Sequence, residues 1–242
     1  IIYLNSINTE IFWLIFLIFC YCSILIFLKI FGYVGLYIYS LIAIIAANIQ
    51  VQKSIDFFYS SEPVALGTIL FTSTFLCTDI LSEHYGTKKA RMNILIGFLG
   101  FLLMTIIMIF TLSVKPSSNE WNISINESLN QIFTPLGRLF IASMFAYLVS
   151  QYFDVWCFSF LKKMTNEKLL WFRNNISTLL SSLIDNTIFS IFAWYLLNPN
   201  PLSFYKILMT YIIGTYVIRI FISLLDTPFI YLSKIFINKN NE

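Results

Sequence analysis

Seven long apolar runs govern what this chain can fold into: residues 11–31, 34–49, 63–81, 94–114, 136–161, 170–197 and 205–237. About 20 apolar residues at 1.5 Å rise cross a hydrocarbon core of roughly 30 Å. In lipid the backbone must satisfy its own hydrogen bonds, so such runs become helices. The second and third runs are short, and the last is long enough to include an interfacial piece beyond Pro228. Six spans with one re-entrant or interfacial run is therefore the alternative to seven. Charged residues make up 11% of the chain and hydrophobic residues 58%. A soluble domain carries roughly 25% charge and about 45–50% apolar residues. A soluble enzyme, a nucleic-acid binder and a disordered chain are all excluded on that ground. No long linker or soluble domain separates the runs, the longest polar stretch being residues 115–135, so residues 1–242 read as a single transmembrane domain. The expected fold is an all-α, polytopic transmembrane helical bundle of six to seven spans.

Lys and Arg orient it, because cytoplasmic loops are enriched in them. The loop after the third run holds Lys88, Lys89 and Arg91, and the loop after the fifth holds Lys162, Lys163 and Lys168, with Arg173 just beyond. The tail adds Lys234 and Lys239. The alternate loops are poorer, with Lys53, then Lys115 and Arg138, then Lys206. The rich loops should be cytoplasmic, with the C-terminus inside and, for seven spans, the N-terminus outside. The first run has no basic segment before it and no small-residue cleavage site, so it reads as a span rather than a signal peptide. The chain begins at Ile1, not Met, so its N-terminus can be incomplete.

Several chemistries can be set aside. The single histidine, His84, rules out a histidine-cluster metal site. Cys20, Cys22, Cys77 and Cys157 all sit in apolar runs and read as small buried hydrophobes. Gly86-Thr87-Lys88-Lys89 lacks the spacing of a phosphate-binding loop. No metal and no cofactor is expected. The net charge of +3 offers no basis for direct nucleic-acid binding.

Polar residues inside the spans carry the rest of the argument. A charged residue at the centre of a span costs about 2.5–3.5 kcal/mol on insertion scales, so retained ones are paired or used. In the sixth run Arg173, Ser177, Ser181 and Asp185 form one i+4 ladder, with Asn174, Thr178, Ser182 and Asn186 beside it. The opposite side is Ile and Leu. Such a face lines a cavity or packs against polar partners. About 18 Å of helix separates Arg173 from Asp185, which puts Asp185 near or just past mid-membrane. Two readings stay open: Asp185 lines a cavity, or it pairs with Arg219 of the last run for structure alone. Other helix-spaced sets are Asn48 with Gln52, followed by Lys53; Asp79 with Glu83; Gln151 with Asp154; and Arg219 with Asp226. Asp79, Glu83 and Arg173 read equally as an ion-pair cluster at the cytoplasmic mouth or as functional groups.

Thr78-Asp79-Ile80-Leu81-Ser82-Glu83-His84-Tyr85-Gly86, with Ala90 following, resembles the T-D-x-L-x-E-x-Y-G-x-x-x-A pattern of the queuosine precursor transporters, also called the vitamin uptake transporter family. Ala47-Asn48 with Lys53, Asp154, the segment from Trp171 to Thr178, and Ile184-Asp185-Asn186-Thr187-Ile188-Phe189 add to the likeness. It covers roughly residues 47–194. The chain departs from the family where Gln-x-x-Asp-Thr is usual and Ser182-Leu183-Ile184-Asp185-Asn186 stands instead.

The resemblance implies a bacterial inner-membrane importer of 7-deazaguanine bases (preQ0, preQ1) that feed tRNA queuosine synthesis. It also implies an architecture similar to the S components of energy-coupling-factor transporters, whose energy-coupling subunits would be partners beside the membrane lipid. The chemistry agrees. A guanine-like base offers N1–H and a 2-amino group as neighbouring donors, which one carboxylate accepts together, while Asn or Gln reads the O6 edge and aromatics stack on the ring. The candidate binding residues are Asp185, Asn186, Asn48, Gln151, Asp154, Ser181, Trp171 and Phe189, with Asp154 able to pair with the cationic amine of preQ1. Asp79, Glu83, Lys53, Arg173 and Arg219 are candidate gating or structural residues. The alternatives are an intramembrane enzyme and a structural membrane subunit. An enzyme is disfavoured because His84 stands at a membrane edge and Asp154 and Asp185 fall at different depths.

Overall fold

The computed structural model describes residues 8–55, 64–134 and 136–237, with side chains at 136–138 left aside. The start of the third apolar run, the Arg138 side chain and the tail with Lys239 lie outside these limits. Asn8 caps α1 (Thr9–Phe31) by accepting from the backbone N–H groups of Glu10 and Ile11. Gly32, at φ 60°, turns the chain directly into α2 (Tyr33–Gln50). The hairpin is close enough that a Cβ on Gly35 would stand 2.1 Å from the Phe27 carbonyl oxygen. Two short antiparallel strands follow, β1 (Ser54–Ile55) and β2 (Val64–Ala65). Next come α3 (Thr68–His84), α4 (Thr87–Ser113), α5 (Glu120–Phe133) and α6 (Leu136–Met164). α7 (Leu170–Ile191) widens into a π-helical turn, Phe192–Leu196. The last span starts with the short α8 (Phe204–Lys206), passes through a π-helical stretch, Ile207–Gly214, and ends as α9 (Thr215–Phe236).

Six helical segments among the described residues are long and apolar enough to cross a membrane. They close a ring: α1 packs on α2, α2 on α4, α4 on α6, α6 on α7, α7 on α9, and α9 back on α1. α3 stands inside that ring and touches all six. At 17 residues it is shorter than the helices of the ring, and its neighbours are protein rather than lipid, so Thr72, Ser73, Thr74, Thr78, Asp79 and Ser82 are buried among other helices. The outward side chains of the ring, such as Ile30, Leu103, Phe110, Phe160 and Phe221, are large, apolar and exposed, as a lipid-facing surface requires. The chain is a multi-pass membrane protein.

Three boundaries differ from the sequence expectation. Helix α4 begins at Thr87, immediately after Gly86 at φ 86°, so Lys88, Lys89 and Arg91 lie on its first turns rather than in a loop. Lys89 Nζ rests 3.9 Å from the Tyr33 ring centroid, which shelters the charge at the helix end. The polar stretch 115–135 contains α5, started by Asn119 accepting from the Asn122 N–H. Pro228 lies inside α9, which runs on to Phe236 without a separate interfacial piece.

Candidate functional site

Both polar ladders of α7 are buried: Arg173, Asn174, Ser177, Thr178, Ser181, Ser182, Asp185 and Asn186 all face neighbouring helices. They feed three groups of contacts, stacked along the bundle.

The first group surrounds a cavity of about 190 Å³ at the end opposite the basic residues. Asn48, Val51, Gly67, Phe71, Asp185, Asn186, Phe189, Trp194, Tyr211 and Arg219 are among its walls. Arg219 Nη1 donates to Asp185 Oδ2 at 2.7 Å, with both side chains almost wholly buried. The other oxygen, Oδ1, has only a long contact of 3.4 Å from the Ser150 hydroxyl. The carboxylate is thus held by one strong ionic bond and keeps free acceptor capacity. Arg219 Nε is buried without a hydrogen-bond partner among the described residues, and its guanidinium carbon lies 5.9 Å from the Phe71 ring centroid. Asn186 spends both amide hydrogens on Ile212 O and Thr215 Oγ1, at 2.8 and 2.7 Å, which ties α7 to the last span. Asn48 donates to Ile44 O of its own helix. The two π-helical segments bring Trp194 and Tyr211 together, with ring centroids 5.0 Å apart. Wide π turns of this kind are common at functional sites.

The second group lies deeper. Ser181 Oγ donates to Asp154 Oδ1 at 2.8 Å, and Thr78 Oγ1 bridges Gln151 Oε1 and Asp154 Oδ2 at 3.2 and 3.4 Å. Gln151 Nε2 donates to Thr74 Oγ1, and Thr178 Oγ1 to Asp79 Oδ2. Asp79 and Asp154 are fully buried and form no salt bridge among the described residues.

The third group closes the basic end. Arg173 Nη2 meets Glu83 Oε1 at 2.6 Å and Lys162 Nζ meets Glu83 Oε2 at 3.2 Å. Arg173 Nη1 also donates to the carbonyls of Glu167 and Lys168. Those carbonyls belong to a turn in which Asn166, Glu167 and Leu169 all have positive φ. Left-handed backbone costs an L-residue roughly 1–2 kcal/mol, so Arg173 holds a turn that would otherwise relax. Alongside, Asn174 Nδ2 donates to Asp226 Oδ1 at 2.6 Å.

Of the residues expected from the sequence, Asp185, Asn186, Asn48 and Phe189 line the cavity together. Arg219, expected as a gating or structural residue, lines it with them. Gln151, Asp154 and Ser181 sit in the deeper group, and Asp79 with them. Glu83 and Arg173 are at the basic end. Trp171 is the second residue of α7, half exposed at the far end of that helix, and does not reach the cavity. Lys53 is exposed, in the turn between α2 and β1. Phe71, Trp194, Tyr211 and Thr215 were not anticipated. The aromatic ones stand in apolar runs, where nothing in the sequence separates a cavity aromatic from a lipid-facing one.

Apolar helices around a buried, charged cavity define a multi-pass membrane protein with an internal polar site. The chain belongs to the family described as putative vitamin uptake transporter, which matches residues 65–233. It is 32% identical over 224 residues to a protein of Bacillus subtilis named "Probable queuosine precursor transporter", covering 92% of this chain and 93% of that one. A Haemophilus influenzae protein of the same name is 30% identical over 129 residues, 53% of this chain and 51% of that one. No solved structure matches the chain.

Proposed function

We propose that the chain imports 7-deazaguanine queuosine precursors, preQ0 or preQ1, across the bacterial inner membrane, as one transporter domain with its C-terminus in the cytoplasm. The names of its relatives support queuosine precursors as the cargo. The observation that carries the site is the Asp185–Arg219 pair in the cavity wall. Arg219 holds Oδ2 of the Asp185 carboxylate, and Oδ1, with only the long Ser150 contact, keeps acceptor capacity. A guanine-type base presents N1–H and its 2-amino group side by side, and the carboxylate accepts both. Arg219 Nε adds an unused donor for the O6 edge. Phe71, Phe189, Trp194 and Tyr211 offer faces for the ring.

The chain is read as a carrier rather than an enzyme. Asp79 and Asp154 do come together, as an intramembrane aspartyl protease would need, but neither lines the cavity. The test is equilibrium binding to purified protein of preQ0 and of its 2-deamino analogue. The analogue should bind at least tenfold more weakly. Equal affinity would remove Asp185 from the 2-amino edge.

A further inference from the structure

The deeper polar group has a property that base recognition does not use. The Asp79 and Asp154 carboxyl groups meet side chain to side chain. Each is fully buried, and Asp79 Oδ1 has no hydrogen-bond partner of its own among the described residues. An ionised carboxylate only accepts hydrogen bonds, so two in contact inside a protein repel each other unless one hydrogen lies between them. Thr178 and Thr78 donate to the outer oxygens, and Ser181 donates to Asp154. Their hydroxyls hold the pair in place without supplying the positive charge that would make the hydrogen unnecessary.

The surroundings point the same way. Asp226 of α9 lies close enough for its charge to bear on both acids. Its bond from Asn174 is neutral. Tyr21 of α1 stands beyond Asp226, Cys157 of α6 lies beside Asp154, and Tyr39 of α2 and Cys77 occupy other faces around α3. Among the described residues the cations packed in the bundle are engaged elsewhere. Arg219 is committed to Asp185, Arg173 and Lys162 to Glu83, and Lys89 of α4 to the Tyr33 ring. The pair also has a place in a column. Ser150, which touches Asp185, is one turn of α6 from Asp154, and Ser181 is one turn of α7 from Asp185. Toward the basic end the column continues through Asp226 and Asn174 to Glu83 and Arg173.

We propose that the Asp79–Asp154 pair binds one proton shared between its carboxyls, and that this proton crosses the membrane with the base. The chain would then be a proton symporter that needs no ATP-hydrolysing partner. The proton joins the pair from the cavity side and leaves past Asp226 and Glu83, so the pair alternates between one and two negative charges. This rests on the reading of the chain as a 7-deazaguanine importer.

The test uses purified protein in liposomes and labelled preQ0, a neutral base that a membrane potential cannot pull by itself. At equal pH the wild type should exchange internal for external preQ0 faster than protein-free liposomes do. With the outside one pH unit more acidic it should accumulate preQ0 up to about tenfold at one proton per base. A protonophore should abolish that accumulation. Asp79→Asn copies the protonated acid in shape and should keep exchange but lose accumulation. A pH dye trapped inside should report acidification when preQ0 is added to the wild type, which tests the idea without any variant. Exchange with neither accumulation nor acidification would overturn proton coupling and leave the import reading standing. Gradient-driven accumulation by Asp79→Asn would overturn the role of the pair. Absence of exchange in the wild type would overturn the import reading and this inference together.

Discussion

Replacing Asp185 by Asn separates recognition from structure. Asp185 and Arg219 are 2% and 7% exposed, and 2.7 Å separates their bonded atoms. Removing one charge of such a buried pair strands the other, at a cost of about 3–5 kcal/mol. Asn still offers Arg219 one oxygen, so the lower end applies, about 3 kcal/mol. For a chain of this size that is roughly 6–12 °C in Tm. Arg219→Gln should lose a similar amount, since it strands Asp185. The double variant Asp185→Asn/Arg219→Gln places two amides where the ions stood and should recover to within about 1 kcal/mol of wild type. Binding should not recover with it. An Asn amide turned toward the base sets NH₂ against N1–H or the 2-amino group, and the charge-assisted contact is gone. We expect a loss on the order of 2–4 kcal/mol, roughly 30- to 1000-fold in affinity for preQ0. The assays are thermal unfolding in detergent and equilibrium binding on the same preparations. A double variant that is stable and binds preQ0 as tightly as wild type would reduce the pair to a structural strut.

Glu83→Gln strands Arg173, which is 1% exposed, so Tm should fall by an amount equivalent to about 2–4 kcal/mol while preQ0 affinity in detergent stays within twofold. A large loss of affinity with unchanged Tm would place this cluster in the binding site. Gly67→Ala puts a Cβ 2.3 Å from the Ala47 carbonyl oxygen, a backbone atom, where α2 and α3 meet at the cavity. The helices must part, and both Tm and preQ0 affinity should drop; wild-type values for both would show that the approach is not tight. In a cysteine-free background, Asn126→Cys in α5 should react with an impermeant thiol reagent from outside intact cells and Lys168→Cys should not. Equal labelling of both would overturn the orientation.

The ladder of α7 was legible because helix period 3.6 puts Arg173, Ser177, Ser181 and Asp185 on one side, and the structure buries all four. Pairing of Asp185 with Arg219 was legible too, since few cations exist at that depth. The meeting of Asp79 with Asp154 was not. It joins α3 to α6 and depends on α3 standing at the centre of the ring, which a hydropathy pattern does not reveal. Helix α5 is hidden in the polar stretch 115–135 because its Ser and Asn residues dilute the apolar signal. Its start was nonetheless written in Asn119 and Glu120, a side-chain cap followed by an acid at the positive end of the helix dipole. Lys88, Lys89 and Arg91 fit a loop in the sequence because basic residues mark membrane edges, yet their long stems let them stay on a helix and still reach water.

Import itself is the most direct measurement. Cells unable to make or take up 7-deazaguanines are supplied with labelled preQ0 and given this chain, and labelled queuosine in their tRNA is measured. The account predicts label in the tRNA with the wild type and its loss with Asp185→Asn at equal membrane abundance. Wild-type protein present in the membrane with no label reaching the tRNA would contradict it.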